Sequence, residues 1–190
     1  MRIPALMDFS LVGGTALALK YGHRLSVDID LFSHIPFKNQ EIIEALETEF
    51  GDELLIQLNK EKFGVFGFIQ NIKVDFVKHP HSLLYNIETV DSIRLYHSAD
   101  IAAMKVNAIL GRGKKKDFWD LAELIRYYTV EDIINFYNKK FPNQQLLISI
   151  PYALTWFDDA DLTEDPISLK GQTWTSVKKI IQQKVSEYLK

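Results

Sequence analysis

Asp28 and Asp30 stand in Val27-Asp28-Ile29-Asp30-Leu31-Phe32, where apolar and acidic residues alternate. Strict alternation is the mark of a strand with two unlike faces, and residues two apart on a strand share a face, roughly 7 Å from one another along the backbone. Val27, Ile29 and Leu31 are expected on the core face and the two acids on the other. A carboxylate pair placed this way can converge on a hard cation. Mg2+ suits it best, because it takes one or two carboxylates and completes its shell with water and substrate phosphates. Two such ions clamp the attacking and leaving oxygens of a phosphoryl transfer. The same pattern also fits a strand that only turns its acids to water.

A second feature lies just upstream. Leu11-Val12-Gly13-Gly14-Thr15 runs from a short apolar stretch into helix-forming residues. Glycines at such a turn let backbone approach a ligand closely, and the helix N-terminus behind them offers free amides to phosphate. Thr15 adds a hydroxyl that either caps the helix or touches a phosphate. Gly13, Gly14 and Thr15 together with Asp28 and Asp30 therefore read as a phosphate cradle beside a metal site. Arg24 and Ser26 fill the gap between them. The guanidinium either neutralises the aspartates or holds a phosphate once metal has done so. Asp75, in Ile72-Lys73-Val74-Asp75-Phe76-Val77, offers a third carboxylate on another alternating run, as metal ligand or as base for an attacking hydroxyl. It shares its face with Lys73 and Val77, and that face fits solvent equally well.

The elements that must carry these residues follow from pattern. Phe9–Val12 and Val27–Phe32 read as strands around a helix over Thr15–Tyr21 that Gly22 stops. Asn39–Phe50 carries an apolar stripe of Ile42, Ile43, Leu46 and Phe50. Glu53–Leu58, Phe63–Ile69 and Ile72–Val77 read as strands, with Gln70-Asn71 as a two-residue hairpin turn. From Ser98 onward the pattern is helical: Ala99–Leu110, Asp117–Tyr128, Val130–Phe141, a segment over Leu146–Phe157 broken by Pro151, and Thr173–Leu189. Thr129 to Asp132 has the form of a capping box. This predicts an α+β chain: a mixed sheet with flanking helices over residues 1–97, then a helical domain over 98–190 that completes the site.

Composition narrows the chemistry. The chain has 190 residues, 47% of them apolar and 25% charged, as a folded globular protein does. It has no cysteine, which removes disulfides, thiolate metal sites and cysteine nucleophiles. A net charge of -3 argues against a surface that is basic all over. Basic residues are local: Lys105, Arg112, Lys114, Lys115 and Lys116 fall together without an acid, whereas Asp158 to Asp165 is acidic and reads as a solvated loop. No apolar run is long enough for a membrane span and no signal peptide is evident, so the expected location is cytoplasmic. His79-Pro80-His81 reads as part of a loop rather than as a metal site.

Leu11–Phe32, with its Gly-Gly-Thr, Arg24, Ser26 and Asp-Ile-Asp-Leu-Phe in order, resembles the first motif of the nucleotidyltransferase AbiEii/AbiGii toxin family, within the DNA polymerase β-like nucleotidyltransferase superfamily. Asp100-Ile-Ala-Ala-Met-Lys105 and the run Arg112–Leu121 resemble its later motifs. The resemblance implies a nucleotidyltransferase fold, metal on Asp28 and Asp30, triphosphate at Gly13, Gly14 and Thr15, and Lys105 and Asp117 lining the site from the helical half. It further implies the toxin half of a toxin–antitoxin pair with an antitoxin protein as partner. The expectation is a Mg2+-dependent transfer of a nucleoside monophosphate from a nucleoside triphosphate to an acceptor. RNA, such as the tRNA end, is the leading acceptor, with Arg112, Lys114, Lys115 and Lys116 along its backbone. Two other readings stay open: a nucleotide-binding or partner-binding module without catalysis, and a nucleotidyltransferase acting on a small molecule such as an antibiotic.

Overall fold

The computed structural model describes residues 1–57 and 63–190. Its strands are β1 (Ser10–Val12), β2 (Ile29–Ser33), β3 (Leu54–Ile56), β4 (Gly64–Ile69), β5 (Ile72–Lys78), β6 (Glu88–Val90) and β7 (Ile93–Leu95). They form one mixed sheet in the order β3-β4-β5-β2-β1-β7-β6. Leu58, the last residue of the strand expected from Glu53, lies outside the described residues.

Two pairings matter most for function. β1 runs antiparallel to β2, and β2 runs parallel to β5 with Asp30 opposite Asp75 and Phe32 opposite Val77. A parallel pair needs a long crossover, here supplied by α2 (Asn39–Phe50), β3 and β4. The expected hairpin turn is present: Gln70 and Asn71 take φ of 51° and 64° between Ile69 and Ile72, which face each other. The β6–β7 hairpin is a finding that pattern did not supply. Its turn residues Asp91 and Ser92 take φ of 48° and 66°, which polar turn residues tolerate.

The helices are α1 (Gly13–Tyr21), α2, α3 (Ser98–Gly111), α4 (Lys115–Leu124), α5 (Val130–Lys140), α6 (Ile150–Thr155), α7 (Asp158–Asp161) and α8 (Trp174–Tyr188). The α1 helix ends in Gly22 with a left-handed φ of 59°, as expected of a helix stop. α5 has the expected Thr129–Asp132 capping box, and Pro151 sits in the first turn of α6, where its missing N–H costs nothing. Leu146 to Ile148 stay outside that helix and are exposed, so the long apolar run is not one element. The acidic stretch expected as a loop is in part the short helix α7, held by buried Ala160. Val27 also departs from expectation. It precedes β2 and is 74% exposed, since the strand begins only at Ile29.

One buried core joins sheet and helices. On one sheet face Leu11, Leu31, Val74 and Phe76 share a lining with Leu46 and Phe50 of α2. The opposite face carries Asp30, Phe32, Asp75 and Val77 towards Ile101 and Met104 of α3. α1 touches both α3 and α4 and so ties the glycine turn to the helical layer. In that layer Val177, Ile181 and Val185 of α8 are buried, and Trp174 stacks on Trp119 of α4 with centroids 5.9 Å apart.

Candidate active site

The acid-bearing face of β2 and β5, the start of α1, and α3 with α4 enclose a cavity of about 290 Å³. Gly13, Gly14, Arg24, Ser26, Asp28, Asp30, Asp75, Lys105 and Asp117 all line it, together with Arg112 and Lys116. Of the site residues expected from sequence, Thr15 alone does not. Its hydroxyl donates to the Asp28 carbonyl and bonds with the Ser26 hydroxyl at 2.9 Å, so it fastens the approach to β2 onto α1.

The two glycines are required for different reasons. Gly13 has φ of +70°, and a Cβ there would sit 2.8 Å from Asp30 Oδ2. At Gly14 a Cβ would overlap Arg24 Nη2. The turn is therefore shaped by the groups packed on it as well as by the amides it presents.

Arg24 is only 4% exposed and is held by a residue whose importance sequence reasoning missed. Asp120 accepts from Arg24 Nε at 2.7 Å and Nη2 at 2.9 Å, pairs with His23 Nε2 at 2.7 Å, and lies 2.6 Å from Lys105 Nζ. Burial works against its charge, but Lys105, His23 and Arg24 hold its carboxyl far below the ordinary range. Asp117, one turn earlier, accepts from Lys105 Nζ at 2.9 Å and lies 3.7 Å from Arg112. It stands inside the first turn of α4, after the N-cap Lys114, and is fully buried. The signal for Asp120 was its spacing: residues three apart in Lys-Lys-Asp-x-x-Asp share one helical face.

Lys105 itself is 7% exposed. Burial lowers its pKa, yet Asp120 and Asp117 outweigh that and leave it raised, which favours the ammonium form. The same contest leaves Arg24 raised as well. Two fixed cations thus stand beside the glycine turn.

The carboxylates present the opposite case. Burial lifts the Asp30 carboxyl above its ordinary range, with Asp75 and Asp28 adding to the effect and Lys73 and Lys105 opposing it. Asp75 Oδ1 is buried without a hydrogen-bond partner, while Oδ2 accepts from Lys73. Lys116 Nζ lies 3.5 Å from Asp28 Oδ2. Among the described residues no three acidic or imidazole side chains already stand close enough to grip an ion. The donor set still suits a hard divalent cation: three carboxylates lining one cavity, one of them with an unused buried oxygen. Lys73 and Lys116 are partly exposed, with side chains 40% and 42% accessible, and can swing off those oxygens.

The basic run does not form one uniform surface. Arg112 and Lys116 belong to the cavity. Lys115 is spent on Asp165 at 2.7 Å and lies over the Trp174 ring. Lys114 lines an adjoining groove of about 500 Å³ that shares Arg24, Ser26, Asp28 and Lys116 with the cavity.

A strand–glycine turn–helix followed by paired acids where the next strand begins, closed by basic groups from a helical layer, is an arrangement suited to nucleotidyl transfer. The comparisons agree and go further. The family model for the nucleotidyl transferase AbiEii toxin of type IV toxin–antitoxin systems matches residues 4–169, and the chain belongs to that family. An uncharacterized protein of Aquifex aeolicus (strain VF5), aq_aa25, is 33% identical over 188 residues, covering 96% of this chain and 88% of that protein. In fold the chain is similar to a putative nucleotidyltransferase from H. pylori, with a TM-score of 0.57, 16% identity, and coverage of 98% and 91% of the two chains. It is also similar to MenT4, a nucleotidyltransferase toxin from Mycobacterium tuberculosis H37Rv, with a TM-score of 0.56, 14% identity, and coverage of 95% and 76%. Membership implies a nucleoside triphosphate substrate and an antitoxin counterpart. No helix among the described residues is long and apolar enough to cross a membrane.

Proposed function

We propose that this chain transfers a nucleoside monophosphate from a nucleoside triphosphate to an RNA acceptor, the acceptor end of a tRNA being the first to test, and that it works in the cytoplasm with Mg2+. Residues 1–97 serve as its catalytic core and 98–190 as the helical domain that completes the site. One observation carries this reading: Asp28, Asp30 and Asp75 share a cavity with the Gly13-Gly14 turn and with Lys105, Arg112 and Lys116. Carboxylates for cations and fixed positive charge for phosphates, side by side, are what a polyphosphate substrate needs.

Asp28, Asp30 and Asp75 would hold Mg2+, which when bound neutralises phosphate charge and acidifies the attacking hydroxyl. The amides at Gly13 and Gly14 meet the phosphates from the α1 N-terminus. Three N–H groups of Arg24 are used on Asp120 and the Leu25 carbonyl. A guanidinium has five, so two remain for a phosphate. Ser26 adds a hydroxyl, and Thr15 acts through it. Lys105, oriented by Asp117 and Asp120, steadies the charge that builds on the leaving pyrophosphate. Asp75, which lines the cavity, serves either as the third metal ligand or as the base that takes the proton of the acceptor hydroxyl.

The test is transfer of label from each of four α-labelled ribonucleoside triphosphates to total RNA, with Mg2+, comparing the native chain with Asp30→Ala. Label on a tRNA-sized band from the native chain alone is the expected result. Label on a small molecule and on no RNA would overturn the acceptor assignment. Equal labelling by Asp30→Ala would overturn the mechanism.

A further inference from the structure

The site cavity has a direction. The groups suited to phosphate gather about the glycine turn: Gly14 lies against Arg24 and Asp120, Asp120 holds Lys105, and Asp117 links Lys105 to Arg112. At the other end the sheet face turns apolar, because the rung after Asp30 and Asp75 is Phe32 opposite Val77. Ile101 and Met104 face that rung across the cavity. Phosphoryl transfer places the attacking and leaving oxygens roughly in line. With pyrophosphate leaving at the basic end, the attacking hydroxyl must enter over Asp75 and the Phe32–Val77 rung.

Aromatic rings continue outward from that rung. Side chains two apart share a strand face, so His79 follows Asp75 and Val77, and its amide donates to the Ser33 carbonyl at 2.9 Å to prolong the ladder. The His79 ring lies 5.3 Å from Phe32 and 4.9 Å from His81, and His81 meets Phe141 at 4.7 Å. Beyond them opens a groove of about 590 Å³, where Lys139, Asn143 and Gln144 join His81 and Phe141. Lys139, Asn143 and Gln144 are exposed. His79 is drawn down to about 3 by burial, with Lys140 and His81 adding, and His81 is lowered by burial and Lys140. Neutral imidazoles favour stacking over anion binding.

Resting on the nucleotidyl-transfer reading above, we infer that the single-stranded 3′ end of a nucleic acid acceptor follows this track. Its last nucleoside lies on Phe32 and Val77, the preceding base stacks at His81, and its backbone passes Lys139 and the amides of Asn143 and Gln144. His79-Pro80-His81, a loop motif without an evident role in the sequence, then becomes the bend that leads the acceptor out of the site.

Fluorescence anisotropy with a fluorescein-labelled, eight-nucleotide single-stranded RNA tests the track on the full chain. His81→Ala should weaken RNA binding on the order of tenfold, the loss of one stacked base, while His81→Phe restores it. Lys139→Ala should reduce the slope of log affinity against log salt by about one contact. Calorimetric binding of a non-hydrolysable nucleoside triphosphate should be unchanged in all three. If the native chain labels RNA while His81→Ala and Lys139→Ala bind it as the native chain does, the track is wrong and the transferase reading stands. If the native chain neither binds nor labels RNA, the acceptor assignment falls and the track with it. Lys139 is an exposed helix residue, so its variant keeps the test open should His81→Ala fail to fold.

Discussion

Lys105 and Lys140 are both buried lysines held by aspartates, and the two pairs put the same chemistry to different ends. Lys140 Nζ donates to Asp100 Oδ1 at 2.7 Å and to the Ser82 carbonyl at 3.2 Å, and the Asp100 carboxylate also accepts from the amides of Leu84 and Tyr85. Every partner there belongs to the fold, and the pair pins the 82–85 loop between α3 and α5. Lys105 has two carboxylates and a place in the cavity wall. The Lys105 side chain keeps 9% of its surface open, whereas that of Lys140 has none. A buried pair that closes on itself supports the fold; one that opens on a cavity supports a reaction.

Five changes test that contrast, taken from the largest effect. Lys105→Met should lower turnover by about 10²- to 10³-fold, the loss of one positioned charge at a developing anion, when initial rates are measured below its melting temperature. Lys140→Met should leave turnover near that of the native chain but lower unfolding free energy by about 3–5 kcal/mol, because Asp100 is left buried and unpaired. Urea denaturation followed by circular dichroism reads that loss. Comparable effects of both variants on turnover would erase the distinction.

Asp120→Asn removes the charge that Arg24 and Lys105 share. KM for the nucleoside triphosphate should rise about tenfold, as expected for one charged hydrogen bond, while Asp100→Asn leaves KM alone. pH separates the two further. Asp120 has a depressed pKa, so its stabilisation is present above the unfolded value near 4 and is lost as pH falls below it. Thermal melts of the native chain should therefore drop over that acid range more steeply than those of Asp120→Asn.

Asp30→Asn has the smallest effect on stability and the opposite sign. Its folded pKa is raised, so the charged form opposes folding at neutral pH and the opposition fades as pH falls through that pKa. The variant should be inactive and melt slightly higher than the native chain at pH 7, with the difference gone in acid. A lower melting temperature at pH 7 would mean that the Asp30 charge is satisfied by the fold.

Much of this site was legible in the sequence because it is local or periodic. The Gly13 to Asp30 motif places turn, helix and acids within one short segment, and alternation put Asp30 and Asp75 each on a polar strand face. Alternation carries no register, however. That Asp30 stands opposite Asp75 depends on the β2–β5 pairing, which no local pattern encodes. Thr15 illustrates a further limit: helical position fixed where it lies, but its hydroxyl turned to Ser26 and Asp28 rather than to the cavity. Arg24 was read against the nearby aspartates, whereas its partner is Asp120, far along the chain. The same is true of the β6–β7 hairpin, whose strands are too short to show a period.

The parallel pairing of β2 with β5 also governs how this protein comes into being. The two halves of the carboxylate face meet only after the crossover through α2, β3 and β4 has closed, and Arg24 finds its counter-ion only when α4 has been made. Contacts so distant in sequence are slow to form, because the loop entropy is lost before the contact rewards it. A chain still on the ribosome, or one clipped ahead of Asp120, holds the Gly13–Asp30 motif but lacks Lys105's two carboxylates or the acid that holds Arg24. The site therefore assembles only after α4 has been made and the crossover has closed.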